Sequence, residues 1–289
     1  MVEVTFTPRA PYSLRASVGG PDPTHRFRGG VLELAFETVA APARATVWQL
    51  HDGPLKARID SADEAAAHDR LRDLLQVGLD HTPLLQLARA DALLGVVRSR
   101  MKGVRVIQLG TPAHALVRGV AGQLIRSREA IAIERRIVLE CGAPFGDLRL
   151  PPTAEQLAAA HPARFERAGL SPARAVLLSR AARLDWDRLA AEPTERAALR
   201  LRSLRGLGPW TAGMVLLRGM GRQEHGMVGD LALVRLATRL LGRPAESGDT
   251  AALLVPYGEW QGLASLWLMR HPLAARHTVA HGAEATLQA

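Results

Sequence analysis

The sequence predicts a mainly α protein with an N-terminal α+β domain. Three observations predict it. Apolar and polar residues alternate in the first sixty positions, between Gly- and Pro-containing turns. From Pro83 onward apolar residues recur at helical spacing behind recognisable caps. A length of 289 residues with 47% hydrophobic content suggests two domains, or three small ones, with room for real cores.

The elements follow in order. Val4 to Thr7 alternates weakly, whereas Leu32, Leu34 and Phe36 alternate with Glu33, Ala35 and Glu37 as a half-buried strand does. Ala45–Leu50 and Leu55–Ile59 suit two further strands. Gly19-Gly20-Pro21, Gly29-Gly30 and Asp52-Gly53-Pro54 supply the turns. Ser61-Ala62-Asp63-Glu64 reads as a capping box opening a helix to about Val77. A short helix is expected over Asp91–Arg98. Thr111 is an N-cap with Pro112 at the first helical position, and Ser127 caps a helix to Cys141. The Pro- and Gly-rich stretch 142–152 reads as a surface connection. Thr153-Ala154-Glu155-Gln156 is a second capping box, and Ser171-Pro172 opens a long helix to about Leu184. Asp185–Ala191, Leu231–Leu241, Ala251–Leu254 and Glu259–Arg270 complete the helices. The tail after His271 has no amphipathic period and is expected to fray.

Thr194–Leu204 and Trp210–Met220 are helical on either side of Arg205-Gly206-Leu207-Gly208-Pro209. Two glycines let the backbone take positive φ and expose N–H groups at the start of the second helix, where the dipole favours an anion. Such a turn can hold one phosphate and fix position rather than sequence. Its ordinary reading is an αα-hairpin with a Gly-containing turn.

Composition narrows the function classes. The net charge of +9 favours an acidic partner such as nucleic acid. The excess is arginine, since Lys56 and Lys102 are the lysines. A single cysteine, Cys141, excludes an internal disulfide and a four-cysteine cluster. There is no long apolar run, signal-peptide core, Walker loop or dinucleotide fingerprint, so a cytoplasmic, nucleoid-associated protein that avoids membranes is expected. His161, His271, His277 and His281 lack metal-ligand spacing.

Leu204-Arg205-Gly206-Leu207-Gly208-Pro209-Trp210-Thr211-Ala212 resembles the hairpin of the helix-hairpin-helix DNA glycosylase superfamily, and Asp230 falls where that family keeps its aspartate. Ala115-Leu116-Val117-Arg118-Gly119-Val120-Ala121-Gly122-Gln123-Leu124-Ile125 is similar to the 3-methyladenine DNA glycosylase II (AlkA-type) branch around its Gly-Gln-Leu loop. The resemblance runs from about Thr111 to Leu241. It implies the superfamily's fold: an N-terminal α+β domain at 1–87, a helical domain with the hairpin at 111–222, and a second helical domain from 88–110 and 223–289, with the active-site cleft between the helical parts.

The resemblance implies roles. Asp230 becomes the catalytic carboxylate that stabilises developing positive charge on the sugar; by itself the position reads as an N-cap, and the two roles are compatible. Trp210 becomes a wall of the base pocket, or else packs between helices. Gln123, Met214, Trp267 and Met269 are further pocket candidates. Met214 stands where the family has a tyrosine, and Met269 where it has a tryptophan, so a less aromatic pocket with an altered substrate preference is expected. Leu124 becomes a wedge in the base stack, or else a core residue. Gly206, Gly208, Thr211 and Arg205 are expected at DNA phosphate, and Arg202, Arg218 and Arg222 are weaker candidates. A monovalent cation (Na⁺ or K⁺) at the Leu204 and Leu207 carbonyls is the one cofactor-like group implied; none is required. Trp210 occupies the position where strand-cutting members carry a Schiff-base lysine, and an indole is not a nucleophile.

The expected activity is that of a monofunctional DNA glycosylase. It would hydrolyse the N-glycosidic bond of alkylated bases of the 3-methyladenine and 7-methylguanine type, after flipping the base from damaged double-stranded DNA. A monomer is expected. The alternatives are a DNA-binding protein that recognises damage without cleaving, and a glycosylase for deaminated or oxidised neutral bases.

Overall fold

The computed structural model describes residues 1–20, 22–51, 53–123 and 127–275. Pro21 and Asp52 of the expected turns, Leu124 and Ile125 of the expected wedge loop, and the tail from 276, with His277 and His281, lie outside the described residues.

The N-terminal part is an antiparallel sheet covered by a helix. Its strands are β1 (Val2–Phe6), β2 (His25–Arg28), β3 (Val31–Glu37), β4 (Pro42–Gln49) and β5 (Leu55–Ser61), in the order β1-β5-β4-β3-β2. A short helix, α1 (Leu14–Ser17), follows β1. Register aligns the apolar alternation into rows: Leu34 faces Ala45, which faces Ile59, and Leu32 faces Val47, which faces Ala57. Helix α2 (Glu64–Leu74) lays Ala67, Leu71 and Leu74 onto those rows, closing a core that includes Phe6, Tyr12 and Phe36. The capping box is displaced. Asp63, not Ser61, caps α2 by accepting from Ala66 N, because Ser61 still belongs to β5.

The rest is helical: α3 (Thr82–Ala90), α4 (Leu94–Met101), α5 (Pro112–Ala121) and α6 (Ser127–Cys141). A small hairpin, β6 (Pro144–Phe145) and β7 (Leu148–Arg149), follows. The segment expected as a plain connection thus packs Leu148 and Leu150 on Ala35 and pairs Asp147 with Arg44 at 2.7 Å. Then come α7 (Ala154–Ala159), α8 (Pro162–Arg167), α9 (Pro172–Ala182), α10 (Trp186–Ala191) and α11 (Thr194–Ser203). After the turn run α12 (Pro209–Met214), a π-helical turn (Val215–Gly219), α13 (Leu231–Leu241), α14 (Ser247–Leu254) and α15 (Gln261–Leu268). Thr111 caps α5 through His114 N, and Thr153 forms its capping box with Gln156. Among the described residues, no helix is long and apolar enough to cross a membrane.

Two helical cores result. One gathers apolar residues of α5–α11, among them Leu116, Phe165, Leu178 and Leu201. The other gathers Leu84, Val97, Leu233, Leu236, Leu263 and Trp267. The segment from α12 through the π turn serves both: Ala212, Val215 and Leu216 face the first core, and Met214 and Leu217 the second. That explains a run which is apolar all round, the mark of a helix with no solvent face. The helix hairpin is therefore fixed where the two cores meet.

Candidate active site at the hairpin

The turn is built by local chemistry. Helix α11 ends at Ser203, and Leu204 leaves it in an extended conformation. Gly206 takes φ +103°, a region L side chains avoid. Leu207 N donates to the Leu204 carbonyl at 2.9 Å, closing the turn and occupying one of the two carbonyls expected to face a cation. Gly208 departs from expectation: at φ −80°, ψ 176° it is extended, which any residue adopts. A Cβ at Gly208 would meet nothing within 4 Å, so its outer side is open. It is the N-cap residue of α12, whose first-turn amides have no intrahelical acceptor. Arg205 and Arg202 are exposed. Thr211 is not a surface phosphate ligand by its side chain: it is 2% exposed, and Oγ1 accepts from Gln123 Nε2 at 3.1 Å.

Gln123 is a brace. The same Nε2 donates to the Gly206 carbonyl at 2.9 Å, tying the end of α5 to both sides of the turn. Two glycines of the upstream motif make that approach possible. A Cβ on Gly119 would lie 2.8 Å from Thr211 Cγ2, and one on Gly122 2.5 Å from Trp210 Cη2. The two sequence motifs are thus one packed unit.

Asp230 lies beside this unit. It is the N-cap of α13 at φ −62°, ψ 135°, with Oδ1 accepting from Ala232 N at 2.8 Å. Its Oδ2 accepts from Trp210 Nε1 at 3.0 Å. Both residues are half-buried, so the carboxylate is fixed at each oxygen and still reaches solvent. A carboxylate offers about four acceptor positions, and these two donors leave some of them open.

The remaining pocket candidates divide. Met269, half-buried, packs on the same core as Trp210. Trp267 is 0% exposed, edge-on to His81, and therefore belongs to the core rather than to an open wall. Its place along α15 turns it inward, two residues from Met269. Met214 is also in the core at 8% exposure, because one helical turn beyond Trp210 lies under the second layer. Arg218 and Arg222 are not free for phosphate either. Arg218 donates to the Ile107 carbonyl, and burial, then the neighbouring Arg118 charge, pushes its pKa down to about 10. Arg222 holds the Leu189 and Ala190 carbonyls. Two surface concavities, beside Leu109 and beside Arg70, are lined by neither Trp210 nor Asp230.

A polar cluster unforeseen in the sequence joins the sheet to the helices. Glu134 of α6 accepts from Arg118 Nε at 2.8 and 2.9 Å and lies 3.1 Å from His114 Nε2. Asp22 lies 3.1 Å from His25 Nδ1 and 3.4 Å from Arg118. Asp22, His114 and Glu134 are close enough to share a metal ion. Arg118 already neutralises one carboxylate there, and a dication would leave excess positive charge in a dry site, so ion pairing accounts for the cluster. Burial alone would raise the pKa values of Asp22 and Glu134. For Asp22 the His25 hydrogen bond, with the charges of His25, His114 and Arg118, outweighs it. For Glu134 the His114 hydrogen bond and Arg118 do the same, so both carboxyls stay below their ordinary range. One signal was available: Arg118 interrupts the otherwise apolar run Leu116–Ala121, and a cation there requires a buried partner.

No family model matches the chain. It is 29% identical over 231 residues to the "Probable bifunctional transcriptional activator/DNA repair enzyme AlkA" of Mycobacterium tuberculosis, covering 74% of this chain and 45% of that protein. The chain thus spans about half the length of that relative. It is 27% identical over 207 residues to the DNA-3-methyladenine glycosylase of Bacillus subtilis, covering 66% and 67%. Among solved structures, the 3-methyladenine DNA-glycosylase from Archaeoglobus fulgidus superposes with a TM-score of 0.78 at 19% identity, over 93% of this chain and 97% of that one. A DNA-bound 8-oxoguanine glycosylase/lyase of Clostridium acetobutylicum gives 0.74 at 15% identity, over 92% and 96%.

The chain shares its helix-hairpin-helix fold with these solved DNA glycosylases. Within that fold it is similar to the 3-methyladenine DNA glycosylase II, or AlkA-type, branch.

Proposed function

We propose that this protein is a DNA glycosylase that removes alkylated bases from duplex DNA by hydrolysis, leaving an abasic site. The observation that carries the reading is the half-exposed Asp230 carboxylate, fixed by Trp210 and by the start of α13 beside the glycine turn. The open side of Gly208 and the first-turn amides of α12 beyond Pro209, which lack intrahelical acceptors, suit a single backbone phosphate. Net positive charge assists that contact. With the strand held there, a flipped nucleotide brings its sugar toward Asp230. A unit charge about 4 Å from a carboxylate gains roughly 4 kcal/mol at an effective dielectric of 20, about three decades in rate. An alkylated purine is cationic, stacks on an indole face, and leaves without a strong general acid. Leu124 remains the proposed wedge, and a monovalent cation at the turn carbonyls remains a proposal.

Water is the proposed nucleophile. Trp210 cannot form a Schiff base, and the lysines lie in β5 (Lys56) and just after α4 (Lys102). Borohydride is expected to trap no covalent adduct with abasic-site DNA, and a trapped adduct would reverse this. The deciding experiment is release of free 3-methyladenine or 7-methylguanine from methylated duplex. Release by wild type, lost in Asp230→Asn, supports the reading; binding without release makes the protein a damage-recognition module. Excision of neutral bases is the second reading. It is favoured by Met269, which offers no aromatic face, and duplexes with hypoxanthine or 8-oxoguanine test it.

A further inference from the structure

We infer that Trp210 is the positioning residue for Asp230, aiming the carboxylate through its indole N–H. This rests on Asp230 acting in base release, as proposed above.

The geometry is specific. The indole donates to Oδ2 at 3.0 Å, while Ala232 N donates to Oδ1 at 2.8 Å. One donor on each oxygen stops the carboxylate from rotating. A cap hydrogen bond alone would leave that freedom. The indole is itself constrained. It lies in the first turn of α12, directly after Pro209, and its six-membered ring covers the one place where Gly122 has no side chain. The ring has no slack toward α5: a Cβ on Gly122 would stand 2.5 Å from Cη2 and 3.1 Å from Cζ3. Trp210 is therefore pinned on one side by α5 and on the other by Asp230. It stands in the same turn as Gly208, so a strand that grips the turn and the acid that acts on it share one rigid mount.

A wall for the base needs only the ring face, whereas positioning needs the N–H. Trp210→Phe separates them. In single-turnover release of 7-methylguanine, Trp210→Phe is expected to lose ten- to a hundredfold in rate constant. Its affinity for a duplex with an abasic-site analogue should stay within about twofold of wild type. Gly122→Ala, which keeps the indole but displaces the ring, is expected to lose rate in the same way. A second readout needs no activity. With ¹⁵N-tryptophan labelling, one indole N–H signal is expected to move upfield in Asp230→Ala as its acceptor disappears. Wild-type rates in Trp210→Phe, or an indole spectrum unchanged by Asp230→Ala, overturn the inference. A wild type that releases no base overturns the functional reading instead, and the indole signal then still reports whether the contact exists.

Discussion

Asp230 combines an observed cap with a proposed catalytic duty. As N-cap it stabilises α13, and as a carboxylate it faces the proposed sugar site. Asn caps as well as Asp, but its amide NH2 would face the Trp210 indole N–H, so Asp230→Asn should still fold at a cost of about 1–3 kcal/mol relative to wild type. Base release should fall about a thousandfold, measured as single-turnover product. The position was legible, because Asp before an apolar run announces a cap. Its bond to Trp210 was not, since it depends on the path of residues 221–229. Gly208 makes a second residue-scale test. Its backbone is extended and its outer side open, so Gly208→Ala should cost no more than about 1 kcal/mol in a denaturant melt, the loss of a tolerable cap. The methyl would occupy the space proposed for phosphate, and affinity for duplex DNA should drop at least tenfold.

At the scale of elements, α5 and α12 behave as one part. Gly119 meets Thr211 Cγ2, and an added methyl there has no room. Gly119→Ala is expected to lower stability by about 1–3 kcal/mol, the usual range for overpacking, with the shift read from the urea midpoint. Helices with strong caps, such as α5 and α7, were readable before the fold was known. Others were not. Strand β2, His25–Arg28, shows one apolar residue, Phe27, because it lies at the sheet edge. The π turn at Val215–Gly219 has no local signature, as it arises from packing against two cores at once. The hairpin β6–β7 looked like a linker because its partner, Ala35, lies far away in the chain.

At the scale of the molecule, the buried ion-pair cluster should set the response to acid. Asp22 and Glu134 both have pKa values held down by folding. Such groups contribute stability that is fully present above their unfolded values of about 4 and is lost as pH falls toward the folded ones. Melting temperature is therefore expected to drop steeply below about pH 4. Asp22→Asn should flatten that slope while costing about 3 kcal/mol at pH 7, because it leaves charge buried without its partner. An unchanged acid slope in Asp22→Asn would remove the cluster from this role. The sequence concealed this arrangement because its members come from a turn in the sheet domain, from α5 and from α6.

The same cluster limits how the chain can be shortened. Asp22, held by His25 of β2, reaches from the sheet domain to Arg118 in the last turn of α5, and the chain leaving that turn braces the glycine turn through Gln123. Trimming away the N-terminal strands to obtain a smaller protein would strand Arg118 and Glu134 at a newly wetted surface and loosen the helix that seats Trp210. A miniaturised version would need companion changes at His114, Arg118 and Glu134, to apolar residues of matching volume, before its turn could be expected to keep its shape.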